Sequence, residues 1–234
     1  MNRRPLIALV AAVPLALVAC APPLGAGAAT TENREISDVT AVSVDGVGRL
    51  TISPGAEPSL SVEAGDRIMR RITTEVRDGV LVLDVDGPMW GSTGEVRYDL
   101  VLPAVEHITV AGVADVDADL STATDLEIEL EGAGQVTGRE LDVHDLRVDI
   151  DGAGEVVLDG SATQQTVGIA GVGRYDGERL TTRLAEVAIG GAGQAEVRAT
   201  EVLDARVEGA GEVRHSGGAQ VTQHIEGIGR VHAH

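Results

Sequence analysis

Between Ile108 and Val231, apolar and polar residues alternate in short runs, and each run breaks at a glycine-rich corner before the alternation resumes. With the first glycine of each corner as origin, the position two residues earlier reads Val110, Leu130, Ile150, Ile169, Ile189, Val207 and Ile225. Four residues earlier stand Ile108, Ile128, Val148, Val167, Val187, Ala205 and Gln223. The residues between these two columns are Thr109, Glu129, Asp149, Gly168, Ala188, Arg206 and His224. That is the period-two pattern of a strand with one buried face. Beyond the corner the apolar column returns as Val116, Val136, Val156, Tyr175, Ala195, Val213 and Val231, so each unit reads strand, corner, strand.

The corners begin at Gly112, Gly132, Gly152, Gly171, Gly191, Gly209 and Gly227, in steps of 20, 20, 19, 20, 18 and 18 residues. A unit this short cannot bury its own apolar face and has to stack on its neighbours. The expected fold is all-β: a right-handed parallel β-helix, or β-solenoid, in which each coil of about 18–20 residues adds one layer at roughly 4.8 Å to a shared interior. The turn glycines are Gly46, Gly48, Gly112, Gly132, Gly134, Gly152, Gly154, Gly171, Gly173, Gly191, Gly193, Gly209, Gly211, Gly227 and Gly229. A tight bend is expected to demand backbone angles that a Cβ forbids. Stacking makes a further demand, on the residue after each second glycine: Asp115, Gln135, Glu155, Arg174, Gln194, Glu212, Arg230. No two neighbours in that series carry the same charge, as an exposed ladder at one strand spacing favours.

Ahead of the repeats, residues 36–103 are rich in strands and only partly on the template. Val42, Val44, Gly46, Gly48 and Leu50 fit it and predict a first coil. Runs at Leu60–Ala64, Ile72–Val76, Val80–Val85 and Val96–Leu102 follow, with Arg77-Asp78-Gly79 a hairpin turn between two of them. The segment is expected to be an irregular opening of the same domain, since the end layer of a solenoid exposes edges that something must cover. Trp90, in a glycine loop, is expected to fold over that end as a lid rather than to anchor a partner.

Residues 1–20 carry a secretion signal: Arg3 and Arg4, then an apolar run from Leu6 to Val18 too short to span a bilayer. Its end, Leu17-Val18-Ala19-Cys20, resembles the lipobox of bacterial lipoproteins, which implies that Cys20 is lipidated and becomes the first mature residue. Residues 21–35 are expected to be a flexible tether and 36–234 the solenoid. Cys20 is the only cysteine, which excludes a disulfide framework.

Loss of Arg3 and Arg4 with the signal leaves 16 basic against 37 acidic residues, a net charge near −21, which argues against nucleic acid and anionic headgroups as partners. No Ser/His/Asp or Cys/His set stands out, no cofactor is implied, and the chain is not expected to be an enzyme. The corners lack the third glycine and helix of a dinucleotide fingerprint and the nine-residue period of calcium-binding repeats. Two places leave a cation conceivable: the like-charged neighbours Glu131 with Asp151 and Glu208 with Glu226, and the terminal pair His232 and His234. Outward splay of the carboxylates and a flexible terminus are the simpler readings.

The stretch Ala41–Ile52, the stretch Val76–Leu83, Val101-Leu102-Pro103 and the recurring Gly-Ala-Gly corners resemble the bacterial putative auto-transporter adhesin head domain, or head GIN domain, a domain of unknown function. The resemblance covers about Ile36 to Val231. Several corners read Gly-Val-Gly or Gly-Ile-Gly, and Gly112-Val113-Ala114 lacks its second glycine. It implies an exported, lipid-anchored β-solenoid of the cell envelope, and it brings no catalytic residues. Three readings of function follow. The first is an adhesion or protein-interaction module meeting a protein or glycan through its surface. The second is an envelope component that self-associates. The third, a carbohydrate-active β-helix, requires a groove that collects carboxylates.

Overall fold

The computed structural model describes residues 27–87 and 94–234, and Cys20 and Trp90 lie outside them. Its elements are β1 (Ala29–Arg34), β2 (Ala41–Val44), β3 (Val47–Pro54), β4 (Ser59–Gly65), the single turn α1 (Asp66–Met69), β5 (Ile72–Arg77), β6 (Val80–Val85), β7 (Arg97–Leu102), β8 (His107–Val110) and β9 (Val113–Asp119). There follow β10 (Leu126–Leu130), β11 (Ala133–Ile150), β12 (Ala153–Ile169), β13 (Arg174–Ile189), β14 (Gln194–Val207), β15 (Glu212–Ser216), β16 (Gln220–Ile225) and β17 (Arg230–Ala233). All 17 strands join one sheet that winds on itself as a β-solenoid.

The registers are those the columns demand. Ile108 pairs with Ile128, Ile128 with Val148, and the ladder continues through Val167, Val187 and Ala205 to Gln223, all parallel. From Ile108 to Ala205 every member of this column is fully buried. Each such aliphatic side chain contributes about 1.5–3 kcal/mol over leaving it in water. Along β11 the buried positions are Val136, Gly138, Leu141, Val143, Leu146, Val148 and Ile150, and pairs of exposed residues interrupt them at Arg139-Glu140 and His144-Asp145. Each coil therefore makes two further bends besides the glycine corner. Coils of 18 to 20 residues fit one stack because the slack is absorbed at these other bends: the register slips between Gly138 and Leu141, between Val157 and Gly160, and between Gly177 and Thr181. The glycine corner itself keeps perfect step.

Most of the corner glycines are needed for a reason other than the expected one. Of them, Gly48 and Gly134 have positive φ, at 147° and 135°. In the rest the limit is close approach: a Cβ on Gly132 would sit 1.9 Å from the carbonyl oxygen of Gly112, and one on Gly152 2.0 Å from that of Gly132. The same contact repeats at Gly112, Gly171, Gly191, Gly209 and Gly227, each against the layer beneath. The second glycine of the corner makes room for a side chain: Cβ atoms on Gly173, Gly193 and Gly211 would meet Ile150, Ile169 and Ile189 at 2.4–2.6 Å, and on Gly229 would meet Val207. Gly154 faces both Gly134 and Leu130. Gly46 differs, since its Cβ would meet Val85.

Chain order and stacking order part company at the N-terminal end. The coil of β2 and β3 lies on the template, but it is sandwiched: β6 and β7 pair with it on one side, β8 and β9 on the other, all parallel. Leu81, Val42 and Ile108 thus form one column although they are far apart in the chain. Beyond β6 and β7 the sheet turns antiparallel: β5 pairs with β6 through the two-residue turn Asp78-Gly79, where φ is 51° and 85°, and β4 pairs with β7. The positive angles suit a primed hairpin turn. α1 tucks Ile68 and Met69 into the core at this end.

β1 pairs antiparallel with β4 and corrects one boundary: Ala29–Arg34 belongs to the folded sheet and not to a linker of residues 21–35. Its sequence, ATTENR, has no apolar alternation because it packs on no core; it is specified by the edge it closes.

Candidate interaction surface

The outward residues stack as regularly as the inward ones. Arg49, Asp115, Gln135, Glu155, Arg174, Gln194, Glu212 and Arg230 form one continuous ladder of register partners. Arg49 lies 3.7 Å from Asp115, the Gln135 amide donates to Glu155 at 3.4 Å, and Arg174 reaches Glu155 at 3.3 Å and the Gln194 carbonyl at 3.4 Å. Such exposed pairs are each worth little, about 0–1 kcal/mol, and serve to set the partners' positions. Arg174 also reaches Glu196, which is 8% exposed and held from the far side by Arg214.

A large groove, about 540 Å³, runs across the start of β10 and the later halves of β11 and β12. Glu106, Asp125, Glu127, Asp145 and Arg147 line it, so a groove does collect carboxylates. Two are already engaged: Asp125 accepts the Asp145 backbone N–H at 3.2 Å, and Glu127 lies between Arg147 at 3.3 Å and His107 Nδ1 at 3.1 Å. His107 Nε2 is 2.8 Å from the Thr109 hydroxyl, which completes a hydroxyl, imidazole and carboxylate series that sequence spacing did not reveal. Nε2 also faces the Glu129 carboxylate at 3.4 Å, so the nitrogen that would take the hydroxyl proton is turned to an anion. The arrangement orders these side chains on the surface.

A smaller recess of about 260 Å³ forms where two adjacent outward columns carry small residues for two layers, Gly168 with Ala188 and Ala170 with Gly190. Asp149 and Asp151 wall it on one side, Arg206 and Glu208 on the other. Burial holds the Asp149 carboxyl above its usual range even though Arg147 contacts it at 2.7 Å. Among the described residues no three His, Cys, Asp or Glu side chains gather to hold a metal ion. Glu226 has a partner in His224 at 2.8 Å, while His232 and His234 turn to different carboxylates, Glu212 at 3.4 Å and Glu178 at 3.9 Å.

One polar cluster is internal. Gln165 takes the place that Leu146 and Leu203 fill in the same column, and is 1% exposed. Tyr175 donates to its carbonyl at 2.7 Å, its amide donates to the Thr182 hydroxyl at 3.0 Å, and that hydroxyl donates to the Arg198 carbonyl at 3.1 Å. Every member is satisfied, so the cluster fixes register and offers nothing to a ligand. Its signal in the sequence was a glutamine interrupting an apolar column.

Fold and surface together define a β-solenoid that presents ordered polar columns, with its chemistry spread along the outside. The chain belongs to the family described as "Putative auto-transporter adhesin, head GIN domain", which matches residues 38–219. A crystal structure of a putative adhesin from Bacteroides fragilis is similar over 90% of this chain and 99% of that one, with 23% identity and a TM-score of 0.83. A putative adhesin from Parabacteroides distasonis (22% identity, TM-score 0.69, 88% and 97% covered) and a putative lipid binding protein from the same organism (20%, 0.68, 88% and 97%) share the fold. No curated protein matches the chain.

Proposed function

We propose that the chain is a lipid-anchored module of the bacterial cell envelope that acts by adhesion or protein interaction through its surface, without catalysis. The observation that supports this reading is where β1 lies. It is the outermost strand of one end, against β4, so the preceding segment with Cys20 joins the molecule at that closed end. Ten strand spacings separate β1 from β17, about 48 Å at roughly 4.8 Å each. The outward columns, the grooves and the opposite end then stand away from the membrane, where a protein or glycan partner reaches them. The family described as an adhesin head agrees with such a display.

The test has two readouts. Bacteria expressing the full chain with a labelled fatty acid should yield a labelled band that Cys20→Ser abolishes, with that variant released from the membrane. Cells carrying the anchored chain should adhere to coated protein or glycan surfaces more than cells expressing Cys20→Ser. An unlabelled, freely soluble wild type would remove the anchoring, and equal adherence the role.

A further inference from the structure

The two ends of the solenoid are built differently. At the closed end the outermost strands carry opposite charges, Glu32 with Arg34 at 2.8 Å on β1 and Glu75 with Arg77 on β5, a usual way to blunt an edge against pairing. α1 fills the core beneath. At the other end, among the described residues, β16 pairs only with β14, and β17 only with β15, so one backbone edge of each faces out. No carboxylate lies within either strand. From Gly217 to His234 the chain holds one acidic residue, Glu226, against Arg230 and three histidines, in a protein with 37 acidic residues.

The core is open there as well. Val207 and Val213 are fully buried, whereas one layer further out Ile225 is 40% exposed, and Val221 and Val231 are half-buried against the core. A foreign extended peptide would extend the sheet at one edge and leave that core in water. The same end of a second copy supplies strands and core together.

We infer that two copies of this chain join through these ends, β16 to β16 and antiparallel, across a two-fold axis. Pairing about Gln223 keeps inward residues opposite inward residues and sets Val221 against Ile225, as an isologous contact requires. Repulsion between two strongly acidic chains is least here, because this end alone is nearly free of carboxylates. The partner is thus fixed by charge and by shape, and head-to-tail growth is discouraged by the charged, closed end. The N-termini come to lie at opposite tips of a rod about 100 Å long, twice ten spacings of roughly 4.8 Å, so copies that are anchored as proposed join from two facing membranes.

Residues 27–234, which contain the whole sheet and core and no cysteine, serve for the test. Sedimentation equilibrium should show a reversible dimer. Gln223→Lys and Ile225→Lys place a charge in the outermost layer; each should give a monomer that melts where the wild type melts once diluted to its own monomeric range, while Glu32→Lys at the closed end remains dimeric. Under mild oxidation Gln223→Cys, on the axis, should cross-link two chains, and Glu32→Cys should not. A monomer at every concentration up to about 1 mM, a dimer that survives both edge lysines, or cross-linking at Glu32→Cys instead would each overturn the inference.

Discussion

Gly152→Ala tests the account of the corner most directly. The added methyl would lie 2.0 Å from the Gly132 carbonyl oxygen and 2.4 Å from that of Glu131, well inside van der Waals contact. Relief requires the layers to part by more than about 1 Å at a spacing of roughly 4.8 Å. The bonds that hold them there, Gly152 N–H to the Leu130 carbonyl at 3.0 Å and Ala153 N–H to the Gly132 carbonyl at 3.0 Å, stretch or break as a result. Two such groups left unsatisfied cost about 1–3 kcal/mol each. With partial relaxation the total is about 3–5 kcal/mol, which at about 2–4 °C per kcal/mol lowers the melting temperature by about 6–20 °C. Gly190→Ala is the matched control. It sits one residue before a corner, no atom lies within 4 Å of its would-be Cβ, and its φ is not in the left-handed region. The substitution there should leave stability unchanged or raise it by up to about 1 kcal/mol through the unfolded chain. Thermal melts followed by circular dichroism on residues 27–234 compare the two. A Gly152→Ala protein melting within a degree of the wild type, or one no worse than Gly190→Ala, would refute close approach as the reason for the column.

Gln165→Leu should cost about 1–3 kcal/mol, because it strands the Tyr175 hydroxyl in the core; denaturant titration should show that adding Tyr175→Phe recovers part of the loss, and a simple sum of the two single effects would contradict the network. His215 has its pKa lowered below 6.5, first by burial and then by His232. The unfolded chain therefore binds more protons in the window just below 6.5, so stability is full above about pH 6.5 and falls as the pH drops toward the folded value. Urea midpoints measured across that window should show the decline, and His215→Gln should flatten it; an unchanged slope would assign the decline elsewhere.

What was legible in the sequence follows from the architecture itself. In a stack of like coils, residues one period apart are neighbours, so the column Ile108 to Ala205 and the ladder Asp115 to Arg230 are contact lists written directly in the chain. The strands, the glycine corner, the shared core and the alternation of charge all come from that single relation between period and contact. The Thr109, His107 and Glu127 series was harder to see because it joins two columns. Period places His107 over Glu127, but the turn of the imidazole toward Thr109 two residues along its own strand depends on which way the side chain leans, and period alone does not give that.

Other features were decided only by the fold in three dimensions. Parallel pairing is indifferent to chain order, so the pattern of residues 41–54 could not say that residues 80–102 stack on its outer side. The strand Ala29–Arg34 has no buried face to pattern it and exists because β4 offers an edge. The corner glycines recur visibly, yet whether they serve a backbone angle or a near contact depends on the distance to the carbonyl one layer below. The unequal ends, too, depend on which strand happens to be last on each face. Sequence period determines what lies above what; only the closed shape determines what is left uncovered.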